Sequence, residues 1–133
     1  MWFGNFDIAS GTPSMSWLNA IDAYFGGYFL SSQGSSENGD SWEHTFTLEK
    51  GTYSIRTRGA TAAIFPKINY YIDDVLVITA QDWYSAGTDR EVEKIVAAIA
   101  VTTSGLHTLT ITVNGKNASS SDYSVGLTMI DIY

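Results

Sequence analysis

The chain contains no cysteine, which excludes disulfide frameworks, thiolate zinc sites and cysteine nucleophiles together. Positive charge is also scarce. Seven Lys and Arg face 14 Asp and Glu for a formal net charge of −7, and no Lys or Arg occurs before Lys50. A surface that grips phosphates needs clustered Lys and Arg, so nucleic acid is excluded as a partner and an anionic membrane surface is disfavoured. No stretch approaches the ~18 consecutive apolar residues of a membrane span. The opening Met1-Trp2-Phe3-Gly4-Asn5-Phe6-Asp7 lacks the basic segment and apolar run of a secretory signal. A chain that starts in this way is expected to be complete, with both ends pinned by the domain or by a partner.

What is present is aromatic and alternating. A length of 133 residues predicts one domain over residues 1–133. A domain of this size buries about two-thirds of its unfolded surface, so it needs no metal or disulfide to fold. The first thirty residues carry Trp2, Phe3, Phe6, Trp17, Tyr24, Phe25, Tyr28 and Phe29, with only Asp7 and Asp22 charged. That much aromatic surface is not left in water, so residues 1–40 are expected to cover the core or to dock onto another subunit. A short helical turn over residues 16–23, capped by Ser16, is one local option there.

Residues 41–133 are expected to form the core of an antiparallel sandwich of about eight strands. Trp42, His44, Phe46 and Leu48 alternate with Glu43, Thr45 and Thr47, the two-residue period of a half-buried strand. Glu49-Lys50-Gly51 predicts a tight turn with Gly51 at positive φ. The next strand, residues 52–58, turns Tyr53 and Ile55 inward and Ser54, Arg56 and Arg58 outward. Residues 68–72 and 75–79 flank Asp73-Asp74, a two-residue hairpin signal. Leu109, Ile111 and Val113 alternate with Thr108, Thr110 and Thr112, and Asn114-Gly115 predicts the turn that ends their strand. The last strand, residues 123–133, alternates Tyr123, Val125, Leu127 and Met129 with small and β-branched residues. Residues 91–101 are ambiguous: Val92, Ile95, Val96 and Ile99 have helical spacing, but the β-rich context assigns them to a strand.

Two segments, Gly51-Thr52-Tyr53-Ser54-Ile55-Arg56 and Tyr71-Ile72-Asp73-Asp74-Val75-Leu76-Val77, resemble strands of the jelly-roll carbohydrate-binding modules. So do Ser104-Gly105-Leu106-His107-Thr108-Leu109 and the run from Val113 through Asn114-Gly115-Lys116-Asn117 to Ser121. The last two segments are also similar to domains of bacteriophage head and tail appendages. The likeness spans about the last 90 residues, and it implies a fold that hosts many functions. In those modules a structural calcium often uses an acidic N-terminal strand residue and an Asp in the final strand. The matching final-strand position here is Thr128, and Asp74 stands where a Gly often follows the hairpin Asp.

The remaining chemistry points to binding. There is no G-x-S-x-G elbow for a serine nucleophile, and enzymatic activity is not expected. His44 and His107 share parity with apolar neighbours, so packed rings are expected; a metal between them would lack a third ligand. Asp73 and Asp74 are explained by turn chemistry, and Glu91 and Glu93 by a solvated strand face. Glu37 and Asp40 read as a solvated acidic loop, since their spacing does not match an EF-hand. No cofactor and no metal are expected. Exposed aromatic rings stack on sugars, and the candidates for that role are Trp83 and Tyr84, then Trp42.

Two functions follow. The appendage resemblance implies a non-enzymatic structural protein of a bacteriophage virion, assembled in the host cytoplasm. As a head decoration or tail module it would form homo-oligomers or bind other virion proteins through Trp2, Phe3 and Phe6. The alternative is a carbohydrate-binding module that adheres to surface glycans.

Overall fold

The computed structural model describes the backbone of residues 7–10, 16–18 and 29–31 and the chain from residue 36 to 133. Among the described residues there is no helix. Ten strands are present: β1 (Asp7–Ser10), β2 (Ser16–Leu18), β3 (Phe29–Ser31), β4 (Ser41–Leu48), β5 (Gly51–Thr61), β6 (Pro66–Ile72), β7 (Val75–Asp82), β8 (Asp89–Val101), β9 (Gly105–Lys116) and β10 (Gly126–Ile132). They pair antiparallel into two five-stranded sheets of order β1-β4-β9-β6-β7 and β2-β3-β10-β5-β8. Three short N-terminal strands extend β4 and β10, so these described stretches add to both sheets. Ser16–Leu18 is strand, not a helical turn, because it pairs with β3. The aromatic candidates Trp2, Phe3 and Phe6 lie outside the described residues.

The alternation read from sequence fills the space between the sheets. Trp42, Phe46 and Leu48 of β4 meet Ile68, Tyr70 and Ile72 of β6 and Leu109, Ile111 and Val113 of β9 in one buried cluster. The opposite sheet contributes Ile55, Ile99, Val101, Leu127, Ile130 and Ile132. Burying each such side chain contributes about 1.5–3 kcal/mol, so this cluster is the main source of stability. Gly59 lies where β5 meets β10, and a Cβ there would come within 2.3 Å of the Gly126 carbonyl oxygen.

Bulges re-aim three strands. In β8 the register with β5 shifts between Tyr53 and Ile55, and Ala98 sits at φ 62. Before the bulge Val92, Lys94 and Val96 point inward; after it Ile99 and Val101 do. The spacing 92, 96, 99 that imitates a helix is thus a strand whose inward parity changes once, and Ile95 is exposed. β10 shifts between Leu127 and Met129, so Ile130 and Ile132 replace Met129 on the inner face. In β7 Ala80 has φ 47, and its amide, turned out of the ladder, donates to Oδ1 of the buried Asn69 at 2.7 Å.

The turns divide in the same way. Asp73 and Asp74 have φ 49 and 64 between the paired Ile72 and Val75, the type I′ geometry that suits a two-residue hairpin. Asn114-Gly115 does not end its strand, because β9 runs on to Lys116 with Gly115 at φ 73. Gly51 is an extended residue of β5, not a positive-φ turn residue.

Candidate functional site

Strands β4, β6, β8 and β10 begin at one end of the sandwich, and β5, β7 and β9 finish there. The loops at that end are stitched together by their own backbones. Ser121 N donates to Ala63 O at 2.9 Å, Ser124 N to Ile64 O at 3.1 Å and Trp83 N to Pro66 O at 3.1 Å. Asn117 holds two loops: its Nδ2 donates to Asp82 Oδ2 at 3.1 Å, and its Oδ1 accepts from Ser119 N at 3.0 Å. Ahead of β4, Gly39 N donates to Val113 O and Val113 N to Asp40 O, both at 2.9 Å, which zips residues 37–40 along β9. Asp40 is buried, and its Oδ2 accepts from Glu37 N at 2.8 Å. It therefore caps a turn instead of forming a solvated acidic loop, because its carboxylate satisfies a backbone donor.

Between these loops lies an open cleft of about 540 Å³, a volume typical of small-ligand sites. Ser36, Glu37 and Asn38 form one wall; Lys116 and the loop residues Ser121, Asp122 and Tyr123 form the other. The Lys116 ammonium stands 4.7 Å from the centroid of the Tyr123 ring, a cation–π contact of about 0.5–1 kcal/mol at such a half-exposed position. Asp122 orders the tyrosine: its Oδ1 accepts from Tyr123 N at 2.7 Å and its Oδ2 from Ser124 Oγ at 3.3 Å. Asn38 Oδ1 accepts from Gly115 N at 2.6 Å, which fixes that amide with its NH2 group unspent. The Ser36 hydroxyl is buried without a hydrogen-bond partner.

The aromatic residues singled out in the sequence fall elsewhere. Trp42 and Trp83 are each 1% exposed and belong to the core, so neither offers a ring face to a sugar. Trp42 opposes Ile111 across the β4–β9 ladder, and Trp83 is overlaid by the Lys94 ammonium at 5.2 Å. Burial pushes the Tyr70 phenol well above its ordinary range, with Trp83 and Thr57 beside it. Tyr84 is half-buried at the cleft end, tied through Asp82 to Asn117, but does not line the cleft. Sequence reading missed Lys116 and Tyr123. The signal was the Asn-Gly-Lys-Asn-Ala-Ser run followed by an aromatic residue, but Tyr123 was counted into the last strand, which begins only at Gly126.

At the opposite end His107 is buried, with Nδ1 2.6 Å from Asp73 Oδ2 and Nε2 3.1 Å from Thr103 O. Asp73 Oδ1 also accepts from Thr108 N at 2.9 Å. Turn chemistry alone does not account for Asp73, whose carboxylate joins the hairpin to β9. Burial raises its pKa, but the Thr108 amide and the His107 ring outweigh burial and hold it below the usual carboxylate range.

A calcium ion needs six to eight oxygen ligands, several of them carboxylates. Thr128 supplies a hydroxyl where the resemblance implies an Asp, and among the described residues no three His, Asp or Glu side chains gather to hold a metal.

No protein-family model matches the sequence, and no curated protein sequence matches it. Solved structures do. A domain of a Paenibacillus xanthan lyase superposes with TM-score 0.78 at 22% identity, over 99% of this chain. The chain spans 13% of that lyase's length. The CBM36-1 domain of a multidomain xylanase from the hindgut metagenome of Trinervitermes trinervoides matches with TM-score 0.67 at 18% identity, over 97% of this chain and 90% of that one. A carbohydrate-binding module CBM36, solved with calcium and xylotriose, matches with TM-score 0.62 at 17% identity, over 97% and 94% of the two chains. At these identities the likeness establishes the fold: the chain is an all-β sandwich of the jelly-roll carbohydrate-binding-module type.

Proposed function

We propose that this chain is a non-catalytic glycan-binding module whose ligand sits in the end cleft. The observation that carries the reading is the cleft itself: a half-exposed tyrosine ring among unspent hydrogen-bonding groups, held on loops that the sandwich fixes in place. A sugar presents an apolar face and hydroxyls that donate and accept. Tyr123 supplies an aromatic surface, Lys116 and Asn38 donate, and the Glu37 carboxylate accepts. Because the loops are tied to strand ends, little ordering cost remains for binding. Two of the solved relatives are themselves carbohydrate-binding modules, one of them solved with xylotriose. The expectation of a virion protein, its oligomer and its virion partners draws no support from these neighbours, and glycan binding takes precedence.

Isothermal titration against a panel of neutral and acidic oligosaccharides tests the reading. The chain should bind at least one of them, and Tyr123→Ala should weaken that binding about tenfold or more, since one well-placed aromatic contact carries about 1–3 kcal/mol. Tyr84→Ala, outside the cleft, should change it little. Binding that survives Tyr123→Ala but is lost with Tyr84→Ala would move the site out of the cleft.

A further inference from the structure

Resting on that reading, we infer that the cleft selects glycans carrying a carboxylate, such as uronic-acid residues, and that Lys116 is the residue that reads the charge. Several groups in the cleft are already satisfied. Asp122 spends its carboxylate on Tyr123 N and Ser124 Oγ. Asn38 spends its oxygen on Gly115 N, so it faces a ligand as a donor only. Among the described residues no carboxylate lies within 4.0 Å of the Lys116 ammonium, although Glu37 and Asp122 line the same cleft and the chain carries twice as many Asp and Glu as Lys and Arg. Its ammonium rests only on the Tyr123 ring.

Two donors without acceptors therefore line the cleft: the Lys116 ammonium and the Asn38 amide NH2. Of the two carboxylates in the cleft, only that of Glu37 accepts none of these bonds. Such a pair of donors is complementary to an acceptor-rich anion, because hydrogen bonds to a charged group are the stronger ones. The net charge of −7 opposes an anionic ligand. At contact distance in a partly desolvated cleft, a direct ammonium–carboxylate pair outweighs more distant charges that solvent and salt screen. The Lys116 position over Tyr123 also sets the geometry, because a sugar ring stacked beside the tyrosine brings its substituent to the ammonium.

The test uses a glucuronic-acid-bearing oligosaccharide and the same oligosaccharide with its carboxyl reduced to the alcohol, titrated calorimetrically into the whole chain. The wild type should bind the acid form about tenfold more tightly, the size of one charge-assisted hydrogen bond. Lys116→Met keeps the hydrocarbon stem over Tyr123 and removes the charge. It should erase that preference, bringing the two sugars to about equal affinity, with an unaltered melting temperature showing that the fold is intact. Equal binding of the two sugars by the wild type overturns the inference and leaves the glycan reading standing. A preference that survives Lys116→Met overturns the role of Lys116. Absence of binding to both, and to the wider oligosaccharide panel, overturns the glycan reading and the inference together.

Discussion

Replacing Asp73 with Asn isolates the work of one carboxylate at the end of the sandwich away from the cleft. Asn tolerates the positive φ of 49 that this turn position needs, so the hairpin keeps its shape. The loss is electrostatic. Asp73 accepts from the His107 ring at 2.6 Å and from the Thr108 amide at 2.9 Å, and an amide side chain has one oxygen for those two donors. One bond is lost and an NH2 group is turned toward a donor. A hydrogen bond to a charged group is worth about 1.5–3 kcal/mol, and exposure of nearly half of the Asp73 side chain screens that value. A loss of about 1–2 kcal/mol at pH 7 follows, a fall in melting temperature of roughly 3–8 °C for a domain of this size. Asp74→Asn is the control: its φ of 64 suits Asn equally, and its carboxylate bonds to none of these groups. The pH dependence fixes the sign. Asp73 is held below the ordinary value of 3.8, so its stabilisation is fully present above that value and fades as pH falls through the lower folded value. The gap between wild type and Asp73→Asn, followed by circular dichroism melts, should therefore be constant from pH 7 to about 5 and close toward pH 2. A gap that is absent at pH 7, or one that persists undiminished at pH 2, would refute the carboxylate clamp.

Two further outcomes follow from the backbone. Ala98→Val places a β-branched side chain at φ 62 and should cost about 1–2 kcal/mol, whereas Ala98→Gly should be neutral or stabilising by up to about 1 kcal/mol; paired denaturant titrations compare them. Gly59→Ala drives a Cβ into the Gly126 carbonyl oxygen, so the β5–β10 pairing must spread, at a cost of about 1–3 kcal/mol in the same assay.

Strands with unbroken alternation were legible in the sequence. β4 shows Trp42, Phe46 and Leu48 inward as its period demands, and the Asp-Asp hairpin gives two positive-φ residues where turn chemistry places them. Strands whose parity changes were not. A bulge adds one residue without adding a turn signal, so β8 acquires a false helical spacing and β10 hides the switch from Leu127 to Ile130. The site was harder to read for a related reason. A tryptophan next to polar residues reads as a loop ring, but a ring of that size has much apolar surface to bury, and Trp83 packs into the core. The cleft residues come from three separated stretches around residues 36–38, 116 and 121–123, and only the antiparallel return of β9 beside β4 brings them together. Local pattern contains no trace of that pairing.

Strands β7 and β8 lie at the outer margins of the two sheets, and each carries an alanine in the left-handed conformation, Ala80 and Ala98. An edge thirteen residues long, as β8 is, would if straight offer an unbroken row of amides and carbonyls to any extended segment nearby. The kinks interrupt that row, and at Ala80 the displaced amide is already captured by Asn69. An incoming strand would find its register broken within a few residues on either margin, which removes the template on which ordered aggregates grow. At high local concentration, copies of this sandwich can lie side by side without fusing their sheets along these two margins.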